Sequence, residues 1–411
     1  MAITDKEEGV WGLDQVYNKI NQGGIWDYDG IPASFCMGKN TYGDLGLNDR
    51  AGRSSPTQLP GTTWSKISSN AGRGFRGLKT DGTAWAWGYN NMGQLGINLG
   101  SWHPSVIVDR SSPCQIGTDT TWSDKFSSDD STSFWIKTDG TLWSWGYNAY
   151  GMLGQNTPGP TRRSSPTQVG TNTTWDECLV GSGTALARKT DGSLWAWGRN
   201  YTGSVGQNTA APIGAFTSGF SSPCRIGTGT DWAKLGMAAD TCFAQKTDGT
   251  LWAWGGDAYG KQARNAGPVN RSSPMQVNGT GWDLDPDKFS YASSHCLAIK
   301  TDGTLWSWGY NPFGNLGLND RGAGGATSRS SPTQVGTSTD WSQVAGGYLT
   351  SIATKTDGTL WTWGENEGGQ MGHNTSGSPT AGAISSPTQI PGTGWSDPAA
   401  SREEFFVKGL L

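Results

Sequence analysis

The chain has 411 residues and a formal net charge of -4, from 30 basic and 34 acidic side chains. This balance provides no basic field for a phosphate backbone, so we expect no nucleic-acid partner. No stretch approaches the roughly 18 apolar residues of a membrane-spanning helix, and the N-terminus lacks the basic start and apolar run of a secretory signal. We therefore expect no membrane insertion and no secretion by that route.

Residues 1–29 precede the first repeat and are treated as an N-terminal extension. Its apolar side chains follow the i, i+3, i+4, i+7 spacing of a short amphipathic helix: Leu13, Val16, Tyr17 and Ile20. Two glycines, Gly23 and Gly24, end this helix. The helix either caps its own domain or docks on another protein. These four residues and Trp11 are therefore candidate partner-binding residues.

Residues 30–411 consist of a repeat of about 55 residues. Its first marker is Ser-Ser-Pro, which occurs seven times and ends at Pro56, Pro113, Pro166, Pro223, Pro274, Pro332 and Pro387. A tryptophan follows each proline within seven to nine residues. Equally spaced copies of this kind predict one closed repeat architecture rather than two or three separate domains.

The second marker is Lys-Thr-Asp-Gly, which occurs six times and leads each time into Trp-x-Trp-Gly. Asp-Gly between two apolar runs is a strong hairpin signal, because both turn residues tolerate a positive φ. Successive side chains of a strand point to opposite faces of the sheet, so both tryptophans of Trp-x-Trp lie on one face and the small residue between them lies on the other. Sheets with one bulky and one small face can stack closely, as the blades of a β-propeller do.

The seventh hairpin is divided between the two ends of the chain. Phe405 to Lys408 match the strand before Asp-Gly, and Ser34 to Gly38 match Trp-x-Trp-Gly. We therefore predict an all-β, seven-bladed β-propeller, closed by a blade shared between the N- and C-termini, with the short helical extension in front. Such a shared blade removes the exposed strand edges of the ring.

The string from Trp306 to Gly317 resembles the signature of the regulator of chromosome condensation repeat family. The resemblance covers residues from about 30 to 411 and implies a seven-bladed propeller, often with a blade shared by the termini. That family includes nucleotide exchange factors, ubiquitin-ligase modules, ultraviolet photoreceptors, enzyme inhibitors and phage proteins, so the fold does not specify the function. The histidine often found before the inner strand appears here only at His295. We transfer no functional residue from the family.

Nothing in the sequence indicates an active site, a cofactor or a metal. The repeat positions account for 19 of the 23 tryptophans, which we interpret as core rather than as a sugar-binding platform or a light sensor. The three histidines show no metal-ligand spacing, and the six cysteines form no C-x-x-C pair, so we expect packed, reduced thiols. We expect a protein that is not an enzyme.

The segments between Leu-Gly and Ser-Ser-Pro vary in length and should emerge on one side of the ring. Trp102 and Phe216 are apolar residues within them and complete our candidate partner-binding residues. The alternative is that both side chains fold back onto their own blades.

Our leading hypothesis is a noncatalytic virion protein of a tailed bacteriophage, in the tail or on the capsid. Gly9 to Ile20 resemble the opening of structural proteins from such phages, which suggests an anchor that binds other virion structural proteins within an assembly. The protein would then be assembled in the host cytoplasm. The alternatives are a regulatory or inhibitory protein-binding propeller in the cytoplasm, and an adhesin for glycans on the host surface.

Overall fold

The computed structural model describes residues 32–68, 74–99, 108–157, 159–208, 219–265, 269–292, 294–322, 326–374, 382–400 and 404–410. The predicted helix and the rest of the extension before residue 32 lie outside these ranges. Within them, the secondary structure is almost entirely β-strand, with one short 3₁₀ turn at Ala258–Gly260.

The strands form seven antiparallel sheets of four, which we call blades 1 to 7. Blade 1 contains β3 (Trp64–Ser68), β4 (Gly74–Lys79), β5 (Ala84–Gly88) and β6 (Arg110–Gln115). Blade 2 contains β7 (Trp122–Ser128), β8 (Thr132–Lys137), β9 (Leu142–Asn148) and β10 (Thr161–Gln168). Blade 3 contains β11 (Trp175–Gly181), β12 (Thr184–Lys189), β13 (Leu194–Arg199) and β14 (Gly219–Arg225).

Blade 4 contains β15 (Trp232–Ala238), β16 (Thr241–Lys246), β17 (Leu251–Gly255) and β18 (Arg271–Gln276). Blade 5 contains β19 (Phe289–Tyr291), β20 (His295–Ile299), β21 (Leu305–Gly309) and β22 (Arg329–Gln334). Blade 6 contains β23 (Trp341–Gly346), β24 (Thr350–Lys355), β25 (Leu360–Gly364) and β26 (Ile384–Ile390). Blade 7 contains β27 (Ser396–Ala400), β28 (Glu404–Leu410), β1 (Pro32–Gly38) and β2 (Arg53–Gln58).

The all-β, seven-bladed propeller predicted from the repeat is therefore confirmed. Blade 7 combines strands from both ends of the chain. In it, β1 pairs antiparallel with β28 in a register that places Phe35 opposite Val407 and Met37 opposite Phe405. Phe405, Phe406 and Val407 are at most 2% exposed, so this pairing buries three large apolar side chains.

The second tryptophan of each Trp-x-Trp motif connects two blades. It is 0% exposed in blades 1 to 6, and its indole N–H donates to a backbone carbonyl of the preceding blade at 2.8–3.0 Å. Burial of one indole removes about 200 Å² from water, which gives at most roughly 5 kcal/mol. Blade 7 has Met37 at this position, which is buried but carries no indole donor.

The Asp-Gly turns explain why glycine follows aspartate in each hairpin. Gly82 has a φ of +78°, which favours glycine. A Cβ on Gly82 would lie 2.1 Å from the backbone oxygen of Thr120 in the next blade. The turn therefore needs glycine both for its backbone conformation and for the close approach of the neighbouring blade.

Candidate functional site

The ring has two chemically different ends. The Asp-Gly face carries the turns between the second and third strands of blades 1 to 6. The loop face carries the connections between the third and outer strands, together with the hairpins that follow the inner strands.

Each described connection on the loop face begins with a fixed turn. An Asn or Asp side chain accepts a hydrogen bond at 2.9–3.1 Å from the backbone N–H five residues later, in all seven blades: Asn40, Asn90, Asn148, Asn200, Asp257, Asn311 and Asn366. Asparagine and aspartate favour such turns because their short side chains bond to the nearby backbone. They hold the start of each loop in one conformation, which lowers the entropic cost of binding a partner.

Every tyrosine whose side chain the structure describes lies at the loop face. They are Tyr42, Tyr89, Tyr147, Tyr150, Tyr201, Tyr259, Tyr310 and Tyr348. Tyr259 is 47% exposed and stacks on Tyr310 of the next blade with ring centroids 4.1 Å apart. Tyr42 and Tyr89 meet edge to face across the junction of blades 7 and 1, at 4.8 Å. These four tyrosines are thus held by contacts between neighbouring blades.

Arginines accompany these tyrosines. The arginines at the loop face are Arg50, Arg53, Arg110, Arg162, Arg163, Arg199, Arg264, Arg271, Arg321 and Arg329. The guanidinium of Arg199 lies 4.7 Å from the ring centre of Tyr201 and 5.6 Å from that of Tyr150 in the preceding blade. Tyrosine and arginine are the residue types, with tryptophan, that most often dominate the energetics of protein–protein interfaces.

On the Asp-Gly face, the repeated polar residues stabilise the fold. In each of blades 1 to 6 the turn aspartate accepts a hydrogen bond from the hydroxyl of the next Thr or Ser, at 2.6–2.7 Å. That hydroxyl accepts the N–H of the first tryptophan of Trp-x-Trp at 2.8–3.0 Å. The Thr83 hydroxyl and N–H lower the pKa of Asp81 in this way. The motif Asp-Gly-Thr-x-Trp is therefore a hydrogen-bonded unit.

The channel along the ring axis is lined by the inner strands and has a volume of about 800 Å³. Its charged side chains are balanced, with Lys66, Lys125, Arg188, Lys234 and Lys408 against Asp124, Asp176, Glu177, Asp287 and Asp397. At each of the seven blade junctions, a polar contact joins the two blades around the channel. Between blades 1 and 2, for example, Lys66 donates to the carbonyl of Asp124, and between blades 7 and 1, Lys408 donates to the carbonyl of Ser65. Apart from the carboxylates of Asp124 and Asp287, these charged side chains are engaged in contacts within the protein.

The buried titratable groups are also engaged within the fold. His295 is 0% exposed, and burial lowers its pKa to about 3. Its Nε2 lies 2.8 Å from the hydroxyl of Ser351, which donates to the carbonyl of Asn315. All six cysteines are free thiols, four of them buried. In the described part of the chain, no three His, Cys, Asp or Glu side chains are placed to hold a metal ion, and no helix has the length and hydropathy to cross a membrane.

Comparison with known proteins agrees with this geometry. The model for the regulator of chromosome condensation (RCC1) repeat matches residues 139–179, 302–354 and 357–397, and a second model for the same repeat matches 341–370. These ranges, about a third of the chain, are similar to RCC1 repeats.

Several curated proteins are similar in sequence. The ultraviolet-B receptor UVR8 of Arabidopsis thaliana is 25% identical over 82% of this chain and 73% of the receptor. The human E3 ubiquitin-protein ligase HERC2 is 25% identical over 72% of this chain, but the match spans only 7% of the ligase. The mitochondrial RCC1 domain-containing protein RUG3 of Arabidopsis thaliana is 26% identical over 75% of this chain and 67% of that protein.

Solved structures share the fold. Prp20p of Saccharomyces cerevisiae superposes with a TM-score of 0.74 and 18% identity, over 94% of this chain and 93% of Prp20p. Human WBSCR16 gives 0.73 and 18%, over 91% of this chain and 99% of that protein.

The residues that the sequence singled out as partner-binding are not among those described. Trp11, Leu13, Val16, Tyr17 and Ile20 precede residue 32, and Trp102 and Phe216 fall in the gaps at 100–107 and 209–218. Their roles stay predictions. The sequence reasoning missed the tyrosines of the loop face, although a signal was present: Tyr89, Tyr147 and Tyr310 each directly follow Trp-x-Trp-Gly in their copies of the repeat.

Proposed function

We propose that this protein is a noncatalytic, regulatory propeller that binds a protein partner with its loop face. The observation that carries the proposal is the position of eight described tyrosines and ten arginines at one end of the ring, on and beside turns that are fixed by side-chain hydrogen bonds. A surface of this composition, held in one conformation before binding, suits a protein interface.

The relatives support this class of function. Prp20p is described in terms of its binding to Gsp1p and histones, and yeast RCC1 has been solved bound to Kap60. UVR8 is a receptor. These are properties of those proteins. For the present chain they favour a protein-binding role over catalysis, and the identity of the partner does not follow from them.

Affinity capture with two variants tests the proposal. The first variant combines Tyr259→Asn with Tyr310→Ala. Asparagine suits position 259 because Tyr259 has a φ of +60°, a conformation that asparagine tolerates. The control is Arg225→Ala, an exposed residue that pairs with Trp195 at the opposite end of its strand.

We expect wild-type protein and the Arg225→Ala control to retain one stoichiometric partner. The loop-face variant should bind it about tenfold more weakly or worse, because central aromatic contacts usually carry most of the binding energy. Equal binding by all three proteins, measured by titration of the isolated partner, would contradict the assignment of this face.

The virion role stays a separate proposal that rests on the resemblance of Gly9 to Ile20 to phage structural proteins. It would place Trp11 and the predicted helix against other virion proteins. Mass spectrometry of purified particles would detect the chain at fixed copy number, and its absence from them would refute the role. The adhesin alternative requires that replacing Trp102 and Phe216 abolish attachment to host cells.

We also propose that blade 7 closes the ring. The pairing of β1 with β28 and the burial of Phe405, Phe406 and Val407 support this proposal.

A further inference from the structure

Blade 7 contains an aromatic pair that has counterparts in every other blade. In blades 1 to 6 the tryptophan after Ser-Ser-Pro contacts the first tryptophan of Trp-x-Trp edge to face, with centroids 6.0–6.3 Å apart and planes at 73–84°. In blade 7 the partners are Trp395 and Phe35, at 5.7 Å and 80°. The same edge-to-face arrangement is therefore built seven times on the Asp-Gly face.

A lysine ammonium lies over both rings in each of the six tryptophan pairs. The lysine of Lys-Thr-Asp-Gly places its Nζ 3.9–5.1 Å from both ring centres, at Lys79, Lys137, Lys189, Lys246, Lys300 and Lys355. Ammonium groups at such distances are attracted by the ring quadrupoles. The lysine that begins each turn motif thus completes a cation–aromatic site.

Blade 7 has the aromatic pair but not the lysine. Gly409 lies opposite Ala33 and beside Trp395, in the strand position that the lysine takes in the other blades. A Cβ on Gly409 would lie 3.1 Å from Trp395 and 3.2 Å from Phe35, so a side chain from this position would pass between the two rings. The neighbouring Lys408 is directed to the channel, where it binds Asp397 and the carbonyl of Ser65.

The exposure of the rings agrees with this difference. The six tryptophans that correspond to Trp395 are at most 7% exposed, whereas Trp395 is partly exposed. Phe35 is partly exposed, like the tryptophans at its position in the other blades. Within the described residues, no cation lies over the Phe35–Trp395 pair.

Blade 5 shows an ammonium over an aromatic pair of this kind with no direct ion pair among the described residues. Its loop reads Gly-Thr-Gly-Trp at 279–282, the same sequence as 392–395 in blade 7. Lys300 lies 4.4 and 4.2 Å from the two indole centres there, and Asp302 of the same turn acts on it only at longer range. In blade 4, by contrast, Asp231 forms an ion pair with Lys246. Beside a loop identical to that of blade 7, the two rings thus hold an ammonium without a carboxylate in direct contact.

We propose that Phe35 and Trp395 form a binding site for an alkylammonium group, such as a lysine side chain. The site lies on the opposite face from the proposed partner surface and does not depend on it. Two sources share this chemistry: Lys6 or Lys19 of this chain, whose segment enters blade 7 at Pro32, and a lysine of a bound protein.

The first test supplies the cation from within the chain. Gly409→Lys should place an ammonium over the pair and give a melting temperature about 1–3 °C above that of Gly409→Met, because both side chains crowd the rings through the same Cβ and only lysine carries a charge. The control is Gly409→Met, which has a similar length and no charge. Both variants also carry Lys6→Gln and Lys19→Gln, so that neither lysine competes for the aromatic pair. Equal melting temperatures for Lys and Met at position 409 would overturn the proposal.

The second test supplies the cation in solution. n-Butylammonium, titrated at constant ionic strength, should shift the NMR indole signal of Trp395 in a saturable manner, and n-butanol should not. A shift in the wild-type chain points to a partner's lysine as the natural occupant. A shift that appears only after Lys6 and Lys19 are replaced by Gln points to this chain's own segment. No saturable shift in either protein, or an unchanged shift in Gly409→Lys, would overturn the proposal.

Discussion

The two tryptophans of each Trp-x-Trp motif make different hydrogen bonds and therefore stabilise different parts of the fold. In blade 5, the N–H of Trp306 donates to Thr304 of its own turn, whereas that of Trp308 donates to the carbonyl of Lys261 in blade 4. Trp306 is partly exposed and Trp308 is 0% exposed. The first indole therefore holds a hairpin, and the second connects neighbouring blades.

Trp308→Phe should cost more stability than Trp306→Phe. Loss of the Trp308 indole leaves the buried carbonyl of Lys261 without its donor and opens a cavity, which together cost about 2–4 kcal/mol. Trp306→Phe removes a hydrogen bond at the edge of the sheet and should cost about 1 kcal/mol. Urea denaturation of both variants measures the difference, and equal costs would refute the connecting role of Trp308.

His295 should make stability depend on pH. Burial lowers its folded-state pKa to about 3, so the unfolded chain binds a proton at a pH where the folded chain does not. The contribution of neutral His295 to the free energy of unfolding is complete above about pH 6.5, the ordinary pKa of histidine in an unfolded chain. That contribution is lost as the pH falls toward 3, and the free energy of unfolding then changes by up to about 1.4 kcal/mol per pH unit.

His295→Thr should remove that slope. Threonine is a matched replacement, because Thr132, Thr184, Thr241 and Thr350 begin the corresponding strands of other blades. The free energy of unfolding, measured between pH 7 and 4, should fall less steeply in the variant than in wild type. His373→Gln serves as the control, since His373 is only partly buried. An identical slope in His295→Thr and wild type would contradict this account.

Among the elements, the hairpins could be predicted from sequence because each is determined by local signals. Asp-Gly specifies the turn, and the alternation of Trp-x-Trp specifies which face is bulky. Trp64 contacts both Trp85 and Trp87, as that alternation requires. The six lysine sites were not predicted, because the two rings come from strands about twenty residues apart and meet only in the folded blade.

Deletion of residues 401–411 should destabilise the whole ring. It removes β28, whose Phe405, Phe406 and Val407 are buried, and leaves β1 and β27 without a common partner. Three such side chains contribute roughly 5 kcal/mol or more. Calorimetry should show a markedly lower melting temperature, while deletion of 410–411 alone should change it little. An unchanged melting temperature after the longer deletion would refute the closure of the ring by blade 7.

For the whole molecule, the difference between the two faces emerges only when the ring is assembled. Tyr259 and Tyr310 lie about fifty residues apart in the sequence and stack because consecutive blades place equivalent loops side by side. Sequence reasoning located the loops correctly as one rim but chose Trp102 and Phe216 within their variable parts. It overlooked the tyrosines at the constant start of six of the seven loops, because it treated repeated positions as structural.

Hydroxyl-radical footprinting of the complex with the captured partner tests the central claim most directly. Oxidation of Tyr259, Tyr310 and Tyr348 at the loop face should fall several-fold when the partner is bound. Oxidation of Trp252, which is partly exposed on the Asp-Gly face, should stay the same. Protection of Trp252 with unchanged oxidation of the three tyrosines would contradict the assignment of the loop face as the partner-binding surface.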